Sequence, residues 1–118
     1  MKRGHKDLRA WQSAMLLVED IYRLTSTFPK EELFGLSSQM RRAVVSVPSN
    51  IAEGSARSGT KELLCFLGVA TGSLAELDTQ LELVHRLKYC TEITSIQSRL
   101  DEVSALTLAL MKSLKDKA

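Results

Sequence analysis

The chain has 118 residues, of which 44% are apolar and 25% charged, and its formal net charge at pH 7 is +2. This length and composition predict one globular domain over residues 1–118, with an aliphatic helical core rather than a β sandwich, and two cysteines are too few for a disulfide framework. The charged start lacks an apolar signal segment, and no run approaches the ~20 apolar residues needed to span a bilayer. We therefore expect a cytoplasmic protein with no membrane contact, in which Cys65 and Cys90 stay free thiols.

The first helix is predicted from about Asp7, as its N-cap, to near Thr27, where Phe28 and Pro29 end it. Its apolar residues repeat at helical spacing in two stripes. The stripes are Leu8, Trp11, Met15, Val18 and Tyr22 on one side and Ala14, Leu17, Ile21, Leu24 and Phe28 on the other. Two stripes predict two contacts, either with two helices of the same bundle or with one helix and another subunit.

The second helix is predicted to begin between Glu31 and Ser37 and to end between Gly54 and Arg57. Pro48 lies inside it and costs about 3 kcal/mol in a plain helix interior, so packing must hold the segment straight or use the bend. A polar stripe runs beside its apolar face, and its members are Gln39, Arg42, Ser46, Asn50 and Glu53. We interpret this stripe as a structural network in which Arg42 bonds Glu53 or Asn50 and which Ser73 or Glu76 of the third helix completes. A catalytic cleft built from the same residues is the alternative.

The third helix is predicted to start at Thr60, as its N-cap, after the Ser58-Gly59 turn. It carries the clearest heptad spacing in the chain, at Leu63, Leu67, Ala70, Leu74, Leu77, Leu81 and Val84. Cys65, Gly68 and Gly72 form a small-residue face, which either packing within the bundle or a subunit contact would explain.

The fourth helix is predicted from Thr91 or Glu92 to Leu114 and repeats the heptad. Its apolar positions are Ile93, Ile96, Leu100, Val103, Leu110 and Leu114, with Thr107 in the intervening slot. Short connections between long helices make neighbours antiparallel. The fold class that follows is all-α, an antiparallel up-down-up-down four-helix bundle.

Three segments of the chain resemble a known family. They are DLRAWQSAMLLVEDIYRLTSTFP, GLSSQMRRAVVSVPSNIAEGSAR and FLGVATGSLAELDTQL. They are similar to the four-helix bundle proteins encoded within intervening sequences of bacterial 23S ribosomal RNA genes, and the accessory variability proteins of diversity-generating retroelements look like relatives. The resemblance covers Asp7 to about Tyr89. It implies a homo-oligomer, typically a pentameric barrel, and the retroelement branch implies binding to nucleic acid and to a reverse transcriptase.

Metal and catalytic motifs are not complete in this sequence. Glu82 and His85 have the Glu-x-x-His spacing of di-iron bundles, but such a site needs two of these motifs, and the only other histidine is His5. No phosphate-binding loop, nucleophile elbow or catalytic triad can be assembled. We therefore expect a non-enzymatic protein with no metal and no cofactor.

In the predicted bundle, both chain termini and the turn between the second and third helices lie at one end. That end collects nine basic residues, here called the basic end: Lys2, Arg3, Lys6, Arg9, Arg57, Lys61, Lys112, Lys115 and Lys117. Its acidic residues are Asp7, Glu62 and Asp116, with Glu53 nearby, whereas charges at the far end cancel. A polyanion should prefer the basic end, while solubility is the alternative role of these lysines and arginines.

Two functions follow as hypotheses. The first is a homo-oligomeric scaffold that contacts the RNA or DNA backbone without strong sequence preference. We expect phosphate contacts rather than base stacking, because the only aromatic residue among the terminal basic residues is Trp11, which we assign to the core. The alternative is a protein-interaction module, for example for a reverse transcriptase or another polymerase, without direct nucleic-acid contact.

Overall fold

The computed structural model describes residues 4–117, which form four α-helices and two short 3₁₀-helices. The α-helices are α1 (Arg9–Thr25), α2 (Leu36–Ala56), α3 (Thr60–Arg86) and α4 (Thr94–Lys117). The 3₁₀-helices are Gly4–Asp7 and Lys30–Glu32. Residues 4–117 contain no strand, so the predicted all-α class is confirmed.

The four α-helices form a bundle in which α2 packs against α1 and α3, and α4 packs against the same two helices. Side-chain contacts bridge each pair. The Arg41 Nε atom donates to Thr25 Oγ1 over 2.8 Å between α2 and α1, and the Ser46 and Ser73 hydroxyls lie 2.8 Å apart between α2 and α3. The Arg99 Nε atom of α4 lies 3.3 Å from Asp20 Oδ2 of α1. The predicted helical bundle is therefore confirmed.

The core follows the heptad pattern of α3 and one of the two stripes of α1. The α3 positions with no more than 2% exposure are Leu67, Ala70, Leu74, Leu77, Leu81 and Val84. In α1, the stripe from Ala14 to Phe28 is buried, whereas Met15 and Tyr22 of the other stripe are 39% and 42% exposed. Among residues 4–117, the buried stripe of α1 therefore makes a full contact and the other stripe a partial one.

Helix α2 continues without interruption through Pro48, which is buried. Its neighbours Val47 and Ile51 are completely buried. Burying a side chain of this size stabilises the fold by about 1.5–3 kcal/mol, which offsets the cost of a proline in the helix interior. Packing therefore holds this segment in the helix, as its apolar spacing predicted.

Two predicted N-caps are wrong. Asp7 belongs to the first 3₁₀-helix, and Leu8 stands at the N-cap of α1 without a side-chain capping bond. Thr60 is the first residue of α3, and Gly59 occupies its N-cap position. The 3₁₀-turn explains the first difference, since the Leu8 N–H already donates to the His5 carbonyl over 3.1 Å.

Helix α4 begins at Thr94, later than predicted, because the connection from α3 is longer. Lys88 has a φ of 61°, and the Tyr89 N–H donates to the Val84 carbonyl over 3.1 Å. The Lys88 N–H donates to the His85 carbonyl over the same distance. This is the Schellman arrangement, in which a left-handed residue ends a helix and redirects the chain.

Within the described residues, none of the helices has the length and apolar character required to cross a lipid bilayer.

Candidate nucleic-acid interface

The structure describes seven of the nine residues of the basic end, because Lys2 and Arg3 lie outside the described residues. All seven are exposed: Lys6, Arg9, Arg57, Lys61, Lys112, Lys115 and Lys117. The acidic residues Asp7, Glu62 and Asp116 are exposed as well. The described part of the basic end therefore keeps an excess of positive charge in contact with solvent.

The segment that carries Lys6 is held against the bundle. Gly4–Asp7 packs against α1 and α2. The Gln12 Nε2 atom donates to the Lys6 carbonyl over 2.9 Å, and the His5 ring meets the Trp11 ring edge-on with 5.3 Å between centroids. The backbone at Lys6 is thus fixed, while its side chain points into solvent.

The start of α1 lies beside the later turns of α4. Leu8, Arg9 and Ala10 share a groove of about 220 Å³ with Leu106 and Leu110. The three lysines of α4 follow directly after these leucines in the chain. This contact brings basic residues of the two terminal segments toward the same region of the surface.

At the α2–α3 corner, Arg57 is engaged by two side chains. Its Nη2 atom lies 3.2 Å from Glu53 Oε1, and its guanidinium sits 5.1 Å from the centroid of the Phe66 ring. The ion pair is exposed on both sides and contributes at most about 1 kcal/mol. The arginine is therefore oriented by its neighbours without losing access to solvent.

Phe66 places an aromatic ring beside Arg57, and no pattern in the sequence predicted this contact. It lies nine residues after Arg57, across the turn into α3, so spacing along one helix does not connect the two. Pairing the end of α2 with the start of α3 would have indicated the contact. The stacked guanidinium is a cation–π interaction, which the sequence pattern alone does not show.

Trp11 is only partly buried, which corrects its assignment to the core. It packs against the core from outside and lines a surface groove of about 400 Å³ between α1 and α2. Met15, Val45 and Pro48 line the same groove. The indole lies on the α1 stripe that the bundle does not fully cover, and this explains its exposure.

The polar stripe of α2 contributes one link between helices. The Asn50 Nδ2 atom donates to the Ser46 carbonyl over 2.7 Å and to Ser46 Oγ over 2.9 Å. Ser46 Oγ in turn lies 2.8 Å from Ser73 Oγ of α3. Asn50 therefore holds Ser46 in the position from which it bonds the neighbouring helix.

Among residues 4–117, the other predicted members of the network make no hydrogen bond to this link. Glu53 pairs with Arg57, while Gln39 and Arg42 are exposed and line a groove with Glu76. Among residues 4–117, no hydrogen bond joins Arg42 to Glu53 or to Asn50. Arg42 and Glu53 are eleven residues apart, which places them about 16 Å from each other along the helix.

The Glu-x-x-His spacing in α3 leads to an ion pair on the surface. Glu82 Oε2 accepts from Arg86 Nε over 2.8 Å, and this bond lowers the pKa of the Glu82 carboxyl. His85 is exposed. In the part of the chain that the structure describes, no three side chains of the metal-ligating types come together.

The small-residue face of α3 is open to solvent. Cys65, Gly68 and Gly72 are exposed, and a β-carbon built on either glycine would meet no atom within 4 Å. Within the described residues, packing inside the bundle therefore does not account for this face. The sequence left two explanations for this face, packing within the bundle and a subunit contact, and the first does not fit the structure.

These helices and their connections define a small all-α bundle protein with a basic surface at its chain ends. The model of the 23S rRNA-intervening sequence protein family matches residues 6–109, and the chain belongs to this family. The resemblance seen in the sequence motifs is confirmed, and it extends into α4. A comparison with curated proteins found no match.

Proposed function

We propose that the protein is a non-enzymatic, homo-oligomeric scaffold of the bacterial cytoplasm that binds the RNA or DNA backbone through its basic end. The observation that carries this proposal is the exposure of all seven described basic residues of that end, on a chain whose net charge is only +2. Such a polarised charge attracts a polyanion and makes its binding dependent on salt.

The proposal depends on an up-down-up-down arrangement, and contacts between neighbouring helices support it. In α2 and α3, Gly54 lies against Leu63, whereas Ser46 lies against Ser73, so residue numbers rise in one helix as they fall in the other. The start of α1 shares a groove with Leu110, near the end of α4. These are the contacts expected when both termini and the α2–α3 turn share one end.

Subunit association, with a pentamer as the family suggests, would use the two faces that the single chain leaves uncovered. One is the partly exposed stripe of α1, with Met15 and Tyr22 about 40% exposed. The other is the open glycine face of α3. A helix approaching glycines can come close and bury apolar area. Light scattering at micromolar concentration should give a multiple of the chain mass, and a monomer would contradict this part of the proposal.

Charge reversal tests the nucleic-acid interface. Lys2, Arg3, Lys112 and Lys115 are changed together to Glu, and a labelled RNA oligonucleotide is titrated at two salt concentrations with fluorescence anisotropy as the readout. We expect the dissociation constant to rise at least about tenfold and the salt dependence to become shallower, because phosphate contacts are lost. Circular dichroism should show an unchanged helical fold.

A matched control separates a site from an effect of net charge. Arg23, Lys30, Arg86 and Lys88 lie outside the basic end and are exposed. Changing these four residues to Glu alters the net charge by the same amount, and RNA affinity should fall much less. Equal weakening by both variants, or wild-type affinity in the first one, would contradict binding at the basic end.

A protein-interaction module, for example for a reverse transcriptase, is the second candidate function. Exposed apolar side chains away from the basic end favour it: Phe34 is 92% exposed, Leu33 53% and Leu87 51%. Apolar surface of this kind is common where proteins bind proteins. Under this function, a partner polymerase would remain bound at high salt and after nuclease treatment, whereas contact through RNA would not survive either.

A further inference from the structure

A groove between α2 and α3 has polar walls and lies away from the basic end. Its volume is about 460 Å³. Small-molecule sites in proteins commonly have volumes of roughly 300–1,000 Å³ and contain a few convergent polar groups. The groove is therefore large enough for a metabolite, and its side chains indicate which class of molecule fits.

The floor of the groove is a fixed hydrogen-bonding surface. The Ser46 and Ser73 hydroxyls are half-buried and lie 2.8 Å apart. The Asn50 amide donates to Ser46 Oγ over 2.9 Å. Because these side chains hold one another in place, a polar ligand would meet preset hydroxyl groups without ordering them first.

Two opposite charges line this groove. Arg42 lies one turn from Ser46 on α2, and Glu76 lies three residues from Ser73 on α3, toward the same end of the groove. Both are exposed. Within residues 4–117 no ion pair joins them, and the bond that Glu76 accepts comes from Gln80 Nε2 over 3.2 Å.

Arg42 differs from Arg41 and Arg57 in its contacts. Arg41 donates to Thr25, and Arg57 pairs with Glu53. In the described part of the chain, Arg42 has no such partner. Its guanidinium therefore offers its donors to the groove, in the fork geometry that matches a carboxylate.

Phe34 supplies an apolar surface at the rim. It precedes α2, lines the groove and is 92% exposed. A ring exposed to this degree contributes nothing to the core, and its faces remain available for stacking. The groove thus combines one cation, one anion and one aromatic ring.

We propose that this groove binds a free α-amino acid with an aromatic side chain. The carboxylate accepts from Arg42, the ammonium donates to Glu76, and the ring stacks on Phe34. The walls carry balanced charge, which suits a zwitterion. A mononucleotide would place its phosphate near Glu76 with only one cation to compensate it.

Titration of the full chain with L-phenylalanine, followed by two-dimensional NMR up to about 10 mM ligand, tests the proposal. We expect saturable shifts for residues of the groove. Phenylalanine amide lacks the carboxylate and N-acetylphenylalanine lacks the ammonium, so each should bind at least about tenfold more weakly. No saturable response to phenylalanine would overturn the proposal, as would binding of AMP to the groove in its place.

Substitutions then assign each charge to its residue. Arg42→Gln should weaken the binding of phenylalanine at least about tenfold but leave the binding of phenylalanine amide unchanged. Glu76→Gln should weaken the binding of phenylalanine by a similar factor but leave the binding of N-acetylphenylalanine unchanged. Phe34→Ala should weaken all three compounds. Arg57→Gln, at the other end of α2, serves as the control and should leave affinity within about twofold. Unfolding curves for every variant exclude loss of fold, and equal losses in Arg42→Gln and the control would overturn the assignment.

Discussion

Helices α2 and α3 meet closely at one end, whereas the outer side of α3 is open, and glycine occurs in both regions. At the closed end, a β-carbon built on Gly54 would lie 2.8 Å from Phe66 Cβ and 3.0 Å from Leu63 Cδ1. On the open side, β-carbons built on Gly68 and Gly72 would meet no atom of residues 4–117 within 4 Å, apart from the adjacent backbone of α3 itself. Close packing explains the first glycine but not the other two.

This difference in packing indicates which contacts compensate for the helix-propensity cost of each glycine. A glycine in a helix interior costs about 1 kcal/mol relative to alanine. At Gly54, the close contact with Leu63 and Phe66 offsets this cost within the chain. At Gly68 and Gly72, no contact among the described residues offsets this cost, and the subunit contact proposed above would provide the offset.

The largest effect is expected for Gly54→Ala. The added methyl group is fixed to the backbone and would force α2 and α3 apart at their closest point. We expect the free energy of unfolding to fall by about 2 kcal/mol, after the gain in helix propensity is counted. The melting temperature should fall by roughly 5–10 °C in thermal unfolding followed by circular dichroism.

Gly59→Ala is the matched control for that variant. Gly59 stands at the N-cap of α3 with extended backbone angles, and its β-carbon position is open. Because alanine is a poorer N-cap residue than glycine, replacing Gly59 should lower the free energy of unfolding by less than about 1 kcal/mol. A Gly54→Ala protein as stable as this control would show that the helices can separate freely, and the contrast between the two regions would disappear.

Replacing both open glycines should have the opposite sign. The Gly68→Ala, Gly72→Ala protein gains up to about 2 kcal/mol in the free energy of unfolding of the single chain, because alanine favours the helix. The two methyl groups would also cover the face that the proposed neighbour approaches. Urea unfolding measures the first effect, and light scattering should show weaker assembly. Unchanged assembly would remove this face from the proposed subunit contact.

The end of α3 presents the reverse case, since a lysine occupies a position that favours glycine. Lys88 has a φ of 61° and is exposed. Lys88→Gly should raise the free energy of unfolding by about 0.5–1 kcal/mol, because glycine adopts this conformation without steric cost. The matched control is Lys112→Gly within α4, which should be destabilised by about 1 kcal/mol. Equal changes in the two variants would contradict the conformational explanation.

Much of the fold could be predicted because helical periodicity depends on the chain alone. The heptad of α3 identified its buried positions, and one stripe of α1 proved to be core. The helix ends were less predictable. Asp7 and Thr60 are good N-cap residues by type, but capping also depends on local backbone angles. Asp7 lies in the 3₁₀-helix instead, and Gly59 occupies the N-cap position of α3.

The candidate sites were harder to predict, because they depend on the register between helices. Spacing placed Arg42, Asn50 and Glu53 on one stripe of α2, with Ser73 or Glu76 of α3 as further partners, but it did not show which of these bonds would form. Asn50 bonds Ser46, which in turn bonds α3, while Glu53 pairs with Arg57 directly after the end of its own helix. A sequence pattern within one helix does not contain that information.

The smallest effect concerns the other end of the α2–α3 pair, where a hydrogen bond rather than a glycine closes the structure. Glu32 accepts from the Tyr89 hydroxyl over 2.7 Å and from the Leu36 N–H over 3.1 Å. The Tyr89 bond first, and the Leu36 bond second, hold the pKa of the Glu32 carboxyl below its ordinary value of 4.5. Because the folded pKa is the lower one, this contribution to stability is present above pH 4.5 and is lost as pH falls through the folded value.

Tyr89→Phe tests this connection. The variant lacks the hydroxyl that is the main cause of the lowered Glu32 pKa, so its melting temperature should decline less steeply than that of the wild type between about pH 5 and pH 3. Tyr22→Phe removes a hydroxyl from an exposed tyrosine of α1 and should keep the wild-type slope. If both variants follow the wild-type pH dependence, the Glu32–Tyr89 bond does not join the two connections in solution.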